Sequence, residues 1–262
     1  MDIVVTVKQV IDPNLPSSHI SIDEKTKKIV SPYGLPPVMN GYDANALEAA
    51  LKLREAHGGR VTVLCLGDNS CRNTLKRAHA MGADAVFLLD DPAWAELDSS
   101  GLGQVIAAAV RKVGACDLVL CGRQASDTDG GQVLFWLAQA LGMPTITPVS
   151  AIEASEEQAL IVHRLMDEGY QRVQVNLPAL LGISSEINQP RNPSMKGTML
   201  ANKSLAPSWK AQDLGLGELS RKVELKQLEI QTRTSRAKLL EGITDEAKGV
   251  ALADELHRMG LI

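Results

Sequence analysis

Along the first 141 residues, short apolar runs alternate with helical patterns, and no other feature of the chain restricts its fold as much. Ile3–Val7, Val61–Leu66, Ala85–Leu89 and Leu118–Leu120 are apolar runs suited to strands buried on both faces. Helical patterns cover Asp43–Ala56, 71–82 and Gln104–Val113, with a Pro/Ser/Gly-rich connection at 92–102, and Val133–Leu141 follows the last strand. Ala46, Leu47, Ala50, Leu51 and Leu53 form the core face of the first helix, which Gly58-Gly59 closes. Leu134, Leu137 and Leu141 share a face of the last. Such alternation predicts an α/β class chain built on a doubly wound, mostly parallel sheet. Open sheets of this kind hold ligands beyond the C-terminal ends of their strands. Three such ends, Thr6–Lys8, Leu66–Gly67 and Cys121–Gly122, then converge on one edge.

The stretch Asp117–Pro144, DLVLCGRQASDTDGGQVLFWLAQALGMP, carries the strongest local signal. A strand ending in a loop that feeds a helix N-terminus leaves backbone N–H groups free for an anion. Gly122, Gly130 and Gly131 allow close backbone approach. The chain contains no GxGxxG and no Gly-Lys-Ser/Thr phosphate loop. Asp127 and Asp129 repel phosphate and suit ribose hydroxyls or helix capping instead. Arg123 is a candidate cation for phosphate, or else a surface partner of Asp127 or Asp129. By itself the loop admits both a nucleotide cradle and a plain strand-to-helix connection.

Elsewhere the grammar differs. HISIDEKTKKIVSPYG reads as a hairpin around a Glu24–Lys28 turn. Beyond Pro148, Val149–Ala154, Leu160–Met166 and Gln171–Val175 follow one another without helices, an antiparallel extension, and Leu180–Ile183 resumes a buried strand. Met195 stands in a polar, proline-bearing loop, residues 204–236 show weak periodicity, and Thr244–Met259 reads as a helix capped by Thr244. The expected division is a nucleotide-binding domain over 1–204 and a C-terminal wrapping arm with its helix over 205–262.

Composition excludes several functions. Aromatic residues make up 3% and the net charge is −4, against nucleic-acid binding by stacking or phosphate contact. No signal-peptide pattern and no membrane-length apolar run is present, so a soluble, cytoplasmic protein without membrane insertion is expected. Cys65, Cys71, Cys116 and Cys121 make no CxxC pair, and the five histidines make no HxH or HxxxH. No nucleophile–base pair or paired carboxylates stand out, so catalytic side chains of its own are not expected and the site calls for no metal.

Several stretches together resemble the beta subunit of electron-transfer flavoproteins. They are TVKQVID (Thr6–Asp12), Asn40-Gly-Tyr-Asp-Ala44, AMGAD (Ala80–Asp84), GRQASDTDGGQV (Gly122–Val133), VHRLMDEGYQRVQVNLPALL (Val162–Leu181) and NQPRNPSMKGTML (Asn188–Leu200), collinear over almost the whole chain. The resemblance implies an adenine-nucleotide alpha-hydrolase-like fold. It also implies a heterodimer with an alpha subunit, an FAD shared with that subunit, and an adenine nucleotide held by this chain. The implied nucleotide site takes in Thr6, Val7 and Lys8, the turn Asn40, Gly41, Tyr42 and Asp43, and the strand end Leu66 and Gly67. From the loop it takes Gly122, Arg123, Gln124, Ala125, Ser126, Asp127, Thr128, Asp129, Gly130, Gly131, Gln132 and Val133.

Housekeeping members of that family hold AMP in this pocket, and nitrogen-fixation-type and bifurcating members hold a second FAD that splits an NADH electron pair. The loop ending Asp-Thr-Asp-Gly-Gly-Gln-Val, the Gly-Tyr-Asp turn and the C-terminal tail favour the second FAD, with AMP as the alternative. Two departures stand out: Pro13 where housekeeping members place an aromatic beside the alpha flavin, and Gly182 where the signature has a small polar residue or alanine. Met195 matches the docking residue that the family presents to an acyl-CoA dehydrogenase-type partner. The competing reading is an adenine-nucleotide-binding regulatory module without a redox role.

Overall fold

The first strand, β1 (Asp2–Val7), runs through the middle of a nine-stranded sheet, with Ile3, Val4, Val5 and Val7 buried. The computed structural model describes all residues except 17–19, 25–26, 31–33, 157 and 231–236, and residues 154–156 as backbone only. Two small antiparallel pairs follow: β2 (Gln9–Val10) with β5 (Val38–Met39), and β3 (Ser21–Asp23) with β4 (Lys28–Val30). The second pair is the expected hairpin, and residues 25–26 of its turn lie outside the described residues.

Then come α1 (Gly41–His57), β6 (Arg60–Leu66), α2 (Arg72–Met81), β7 (Ala85–Leu89), α3 (Ser99–Val113), β8 (Leu118–Gly122) and α4 (Val133–Leu141). Strands β6, β7 and β8 all run parallel to β1 through their neighbours. The chain steps outward from β1 to β6 and β7, then returns to the other side of β1 as β8. The direction of winding reverses between β1 and β8, the place where such sheets open a crevice.

Helices cover both faces, as the doubly wound reading requires. Successive strand residues point to opposite faces: Ile3, Val5, Leu118 and Leu120 join the core beneath α1 and α2, and Val4, Val119 and Cys121 join the core beneath α3 and α4. Gly103 of α3 permits the close crossing of α4, because a Cβ there would come 2.6 Å from Trp136 Cβ. Helix α3 begins five residues before the sequence pattern suggests, because the Asp98 carboxylate accepts from the Gly101 amide at 3.0 Å and caps it.

The extension is antiparallel as expected. Strands β9 (Thr145–Glu156), β10 (Ala159–Met166) and β11 (Gly169–Asn176) pair in that order, and β12 (Ala179–Ile183) re-enters parallel between β8 and β9. Gly182 is glycine for a local reason: a Cβ there would lie 2.3 Å from Thr147 Oγ1.

Met195 is not in a loop. It opens α5 (Met195–Lys203), because Ser194 Oγ accepts from the Gly197 amide at 2.9 Å and supplies the cap. Strand β13 (Ser208–Trp209) then adds to β7, with Trp209 stacked on Phe87 at 4.1 Å between centroids. The sheet therefore ends in β11 on one side and in the two-residue β13 on the other. Residues Met1–Lys226 form one compact unit and Gln227–Ile262 a second, which contains α6 (Asp245–Arg258). Thr244 Oγ1 caps α6 by accepting from the Ala247 amide at 3.2 Å. No helix among the described residues is long and apolar enough to cross a membrane.

Candidate functional site

At the crevice between β1 and β8, one buried carboxylate ties the two strand ends together. Asp43, in the first turn of α1, accepts from the Lys8 amide at 2.7 Å and from the Gly122 amide at 3.0 Å. Burial pushes its carboxyl up from 3.8 to about 7, outweighing the Lys8 amide, the Asn40 side chain, the Gly122 amide and the Lys8 charge, which all lower it. Gly122 has to be glycine for this arrangement. Its Cβ would stand 2.3 Å from Asp43 Oδ1 and 2.7 Å from Tyr42 Cβ.

Asn40 braces the loop beyond β8. Its Nδ2 donates to the Gln124 carbonyl at 2.8 Å, and its Oδ1 accepts from the Ser126 amide at 3.2 Å. The Asn40 side chain is fully buried, so both of its polar ends need the partners the loop provides. Within the loop, the Thr128 and Asp129 amides both donate to the Ala125 carbonyl, and Gln124 Nε2 donates to Asp129 at 2.9 Å. Asp129 takes a positive φ of 46°, and Gly131 follows with 57°. The segment then turns into α4, whose first amides at Val133 and Leu134 have no preceding turn to bond to.

Two charges in the loop have partners outside it. Asp127 pairs with Lys8 Nζ at 2.7 Å. Arg123 pairs with neither loop aspartate; its guanidinium lies over the Tyr42 ring, 5.1 Å from the centroid, and its amide donates to the Ile183 carbonyl at 2.9 Å. Arg123 Nε and Ser126 Oγ are buried without a hydrogen-bond partner among the described residues. Buried donors are normally satisfied, so two unpartnered ones within one loop fit a site that takes an external acceptor. The set fits a nucleotide: a guanidinium and helix-start amides for phosphate oxygens, a hydroxyl and carboxylates for ribose.

The structure thus brings Lys8, Asn40, Tyr42, Asp43 and the Gly122–Asp129 loop into one constellation. Thr6 and Val7 lie in β1 beside Leu64 and Cys65 of β6. Leu66 and Gly67 stand at the next strand end, where the Gly67 amide donates to the Leu89 carbonyl at 3.0 Å, and they make no hydrogen bond to the loop among the described residues. Gly41 is exposed at the mouth of α1, as are Gly130 and Gln132 before α4.

One part of the site lies outside the sequence reading. The end of β12 carries Ile183, which receives the Arg123 amide, and the buried Ser184, whose hydroxyl bonds Glu186. The Ser184 hydroxyl holds the Glu186 carboxyl below its ordinary range, with smaller contributions from the Glu186 amide, the Ser185 hydroxyl and, least, the Arg123 charge. The strand-end rule applied to Leu180–Ile183 would have located these residues. Among the described residues no group of three or more His, Cys, Asp or Glu side chains is placed to hold a metal ion.

Comparison with known proteins shows the family. A family model described as "Electron transfer flavoprotein domain" matches residues 29–213. The chain is 41% identical over 217 residues to the caffeyl-CoA reductase-Etf complex subunit CarD of Acetobacterium woodii, covering 82% of this chain and 80% of that protein. It is 40% identical over 215 residues to the electron transfer flavoprotein subunit beta of Thermoanaerobacterium thermosaccharolyticum, covering 82% and 80%. Protein FixA of Azorhizobium caulinodans is 36% identical over 227 residues, covering 84% and 79%.

Proposed function

The chain belongs to the electron transfer flavoprotein family, as a beta subunit that transfers electrons together with an alpha subunit, and on that premise we propose that its crevice holds a second FAD rather than AMP. In this reading the heterodimer takes electron pairs from NADH and divides them by bifurcation, and an acyl-CoA dehydrogenase-type protein is one of its partners. The observation that carries the nucleotide assignment is the pair of unpartnered buried donors, Arg123 Nε and Ser126 Oγ, set in a loop that Asn40 and Asp43 hold in place. Likeness to a caffeyl-CoA reductase-Etf complex subunit and to FixA supports FAD over AMP.

The residues divide the work between holding the loop and meeting the ligand. Asn40 and Asp43 spend their polar atoms on backbone groups of the strand ends and loop. They preorganise the cradle, which lowers the ordering cost of binding. Arg123 and the amides before α4 meet the pyrophosphate, and Ser126 and the loop carboxylates meet ribose. Lys8 offsets the Asp127 charge that would otherwise repel phosphate. A bound flavin supplies the one- and two-electron redox chemistry, and the protein binds, orients and tunes it. We assign the C-terminal arm from residue 205 onward to contact with the alpha subunit, and Met195 to docking of the dehydrogenase.

Denaturing the purified heterodimer and quantifying what it releases tests this reading. Two FAD per heterodimer is the expected result. One FAD with one AMP would make the protein a housekeeping carrier, and a colourless homodimer that binds ATP would favour the regulatory-module reading.

A further inference from the structure

The chain leaving β12 reaches α5 by way of two side chains anchored on α1. Asn45 Nδ2 donates to the Asn188 carbonyl at 2.7 Å, and Asn188 Nδ2 donates back to the Asn45 carbonyl at 3.1 Å. Three residues further on, the Arg191 guanidinium serves two carboxylates at once. Its Nε and Nη2 reach Glu48 at 2.7 and 3.1 Å, and its Nη1 and Nη2 reach Glu55 at 2.5 and 3.1 Å. The Arg191 amide adds a further donation to Glu48 at 3.1 Å.

Asn45, Glu48 and Glu55 fall on one face of α1, at spacings of three and seven residues. Glu48 has a side chain only 4% exposed, and Lys52 stands 3.9 Å away. A carboxylate so buried has to be paired and hydrogen-bonded, and a planar guanidinium is the side chain that can fork onto two carboxylates together. The same helix braces the nucleotide loop through Asp43 in its first turn and Asn40 just before it.

At its far end the strap delivers α5. Gly197 seats that helix against α2, where a Cβ would come 2.2 Å from the Ala80 carbonyl oxygen, and Ala201 is buried beneath it. Met195 and Met199 are left exposed. The Gly197 seat allows close approach but fixes no direction, whereas the Arg191 fork is directional.

We propose that Arg191 is a positioning residue for partner docking: by holding residues 188–191 on α1 it sets where Met195 and Met199 stand relative to the nucleotide crevice. This rests on the docking role assigned above to Met195. It adds that the docking helix and the nucleotide loop are referenced to one rigid element, α1.

The test uses the intact heterodimer and an acyl-CoA dehydrogenase reduced by its acyl-CoA substrate, varying the dehydrogenase concentration. Arg191→Lys, which cannot fork onto both carboxylates, should raise the KM for the dehydrogenase at least fivefold. Its kcat at saturating dehydrogenase and its flavin content should remain at wild-type values. Glu55→Gln leaves the buried Glu48 pair intact and should raise the KM about twofold. A wild-type KM in Arg191→Lys overturns the proposal, as does the same result in Glu55→Gln should Arg191→Lys not fold. Flavin loss without a change in KM also overturns it. Met195→Ala, measured alongside, separates the two ideas. If its KM is raised while that of Arg191→Lys is not, docking stands and positioning falls; if its KM is unchanged, the docking assignment fails and the positioning proposal with it.

Discussion

Gly122 and Asp43 meet more closely than any other side chain at Gly122 would allow. The Gly122 amide donates to Asp43 Oδ1 at 3.0 Å, and a Cβ on Gly122 would stand 2.3 Å from that oxygen. Gly122→Ala should therefore push α1 away from the end of β8. Overpacking of this kind costs about 1–3 kcal/mol. Urea unfolding should show that loss, and the purified heterodimer should carry less nucleotide per mole than wild type.

The raised Asp43 carboxyl makes a prediction about pH. The folded chain keeps a proton up to about pH 7 that the unfolded chain releases near 3.8. Between those values the folded state binds more protons, so this group's stabilising contribution is complete below the lower value and is lost as pH rises through about 7. Asp43→Asn should flatten that decline by up to about 1.4 kcal/mol per pH unit. Unfolding free energies of both proteins at pH 5 and pH 8 test it; parallel profiles would count against the buried, protonated carboxyl.

Lys8 and Asp127 form a partly exposed pair, with side chains 44% and 21% accessible. Such pairs contribute less than about 1 kcal/mol after solvent screening. Lys8→Met should leave the melting temperature nearly unchanged and yet weaken nucleotide retention, because Asp127 would then face the phosphates uncompensated. Retention through extensive dialysis, followed by cofactor analysis, is the readout.

Met195, 87% exposed at the first position of α5, should tolerate truncation with a stability change within about 0.5 kcal/mol. Met195→Ala should slow electron exchange with the dehydrogenase at limiting partner while flavin content stays constant. Equal rates for mutant and wild type would remove it from docking.

The sequence made the central architecture legible because its strands are buried on both faces. Ala85–Leu89 and Val133–Leu141 have the bounds expected of them. The elements it concealed depend on particular contacts. Strand β13 exists through the stacking of Trp209 on Phe87, a pairing across more than a hundred residues that local pattern does not reveal. Helix α5 carries Gly197 near its start, a residue that lowers helix propensity and that here permits contact with the Ala80 carbonyl. At the crevice, the glycine loop and strand ends were visible as motifs. The bracing by Asn40 and Asp43 was not, because it depends on which backbone groups the fold leaves within reach.

The two ends of the sheet are unequal, and this bears on how the chain behaves before it meets a partner. At β13 only two residues offer a ladder, too few for another strand to add securely. At β11 an eight-residue strand, Gly169–Asn176, forms the other end of the sheet, and its Arg172 is turned inward across the face to pair with Glu153 of β9 at 2.7 Å. A copy synthesised without its companion subunit has one flank from which intermolecular strand addition can spread. Replacing Gln174 with lysine would set an unpaired charge on that strand and oppose the addition.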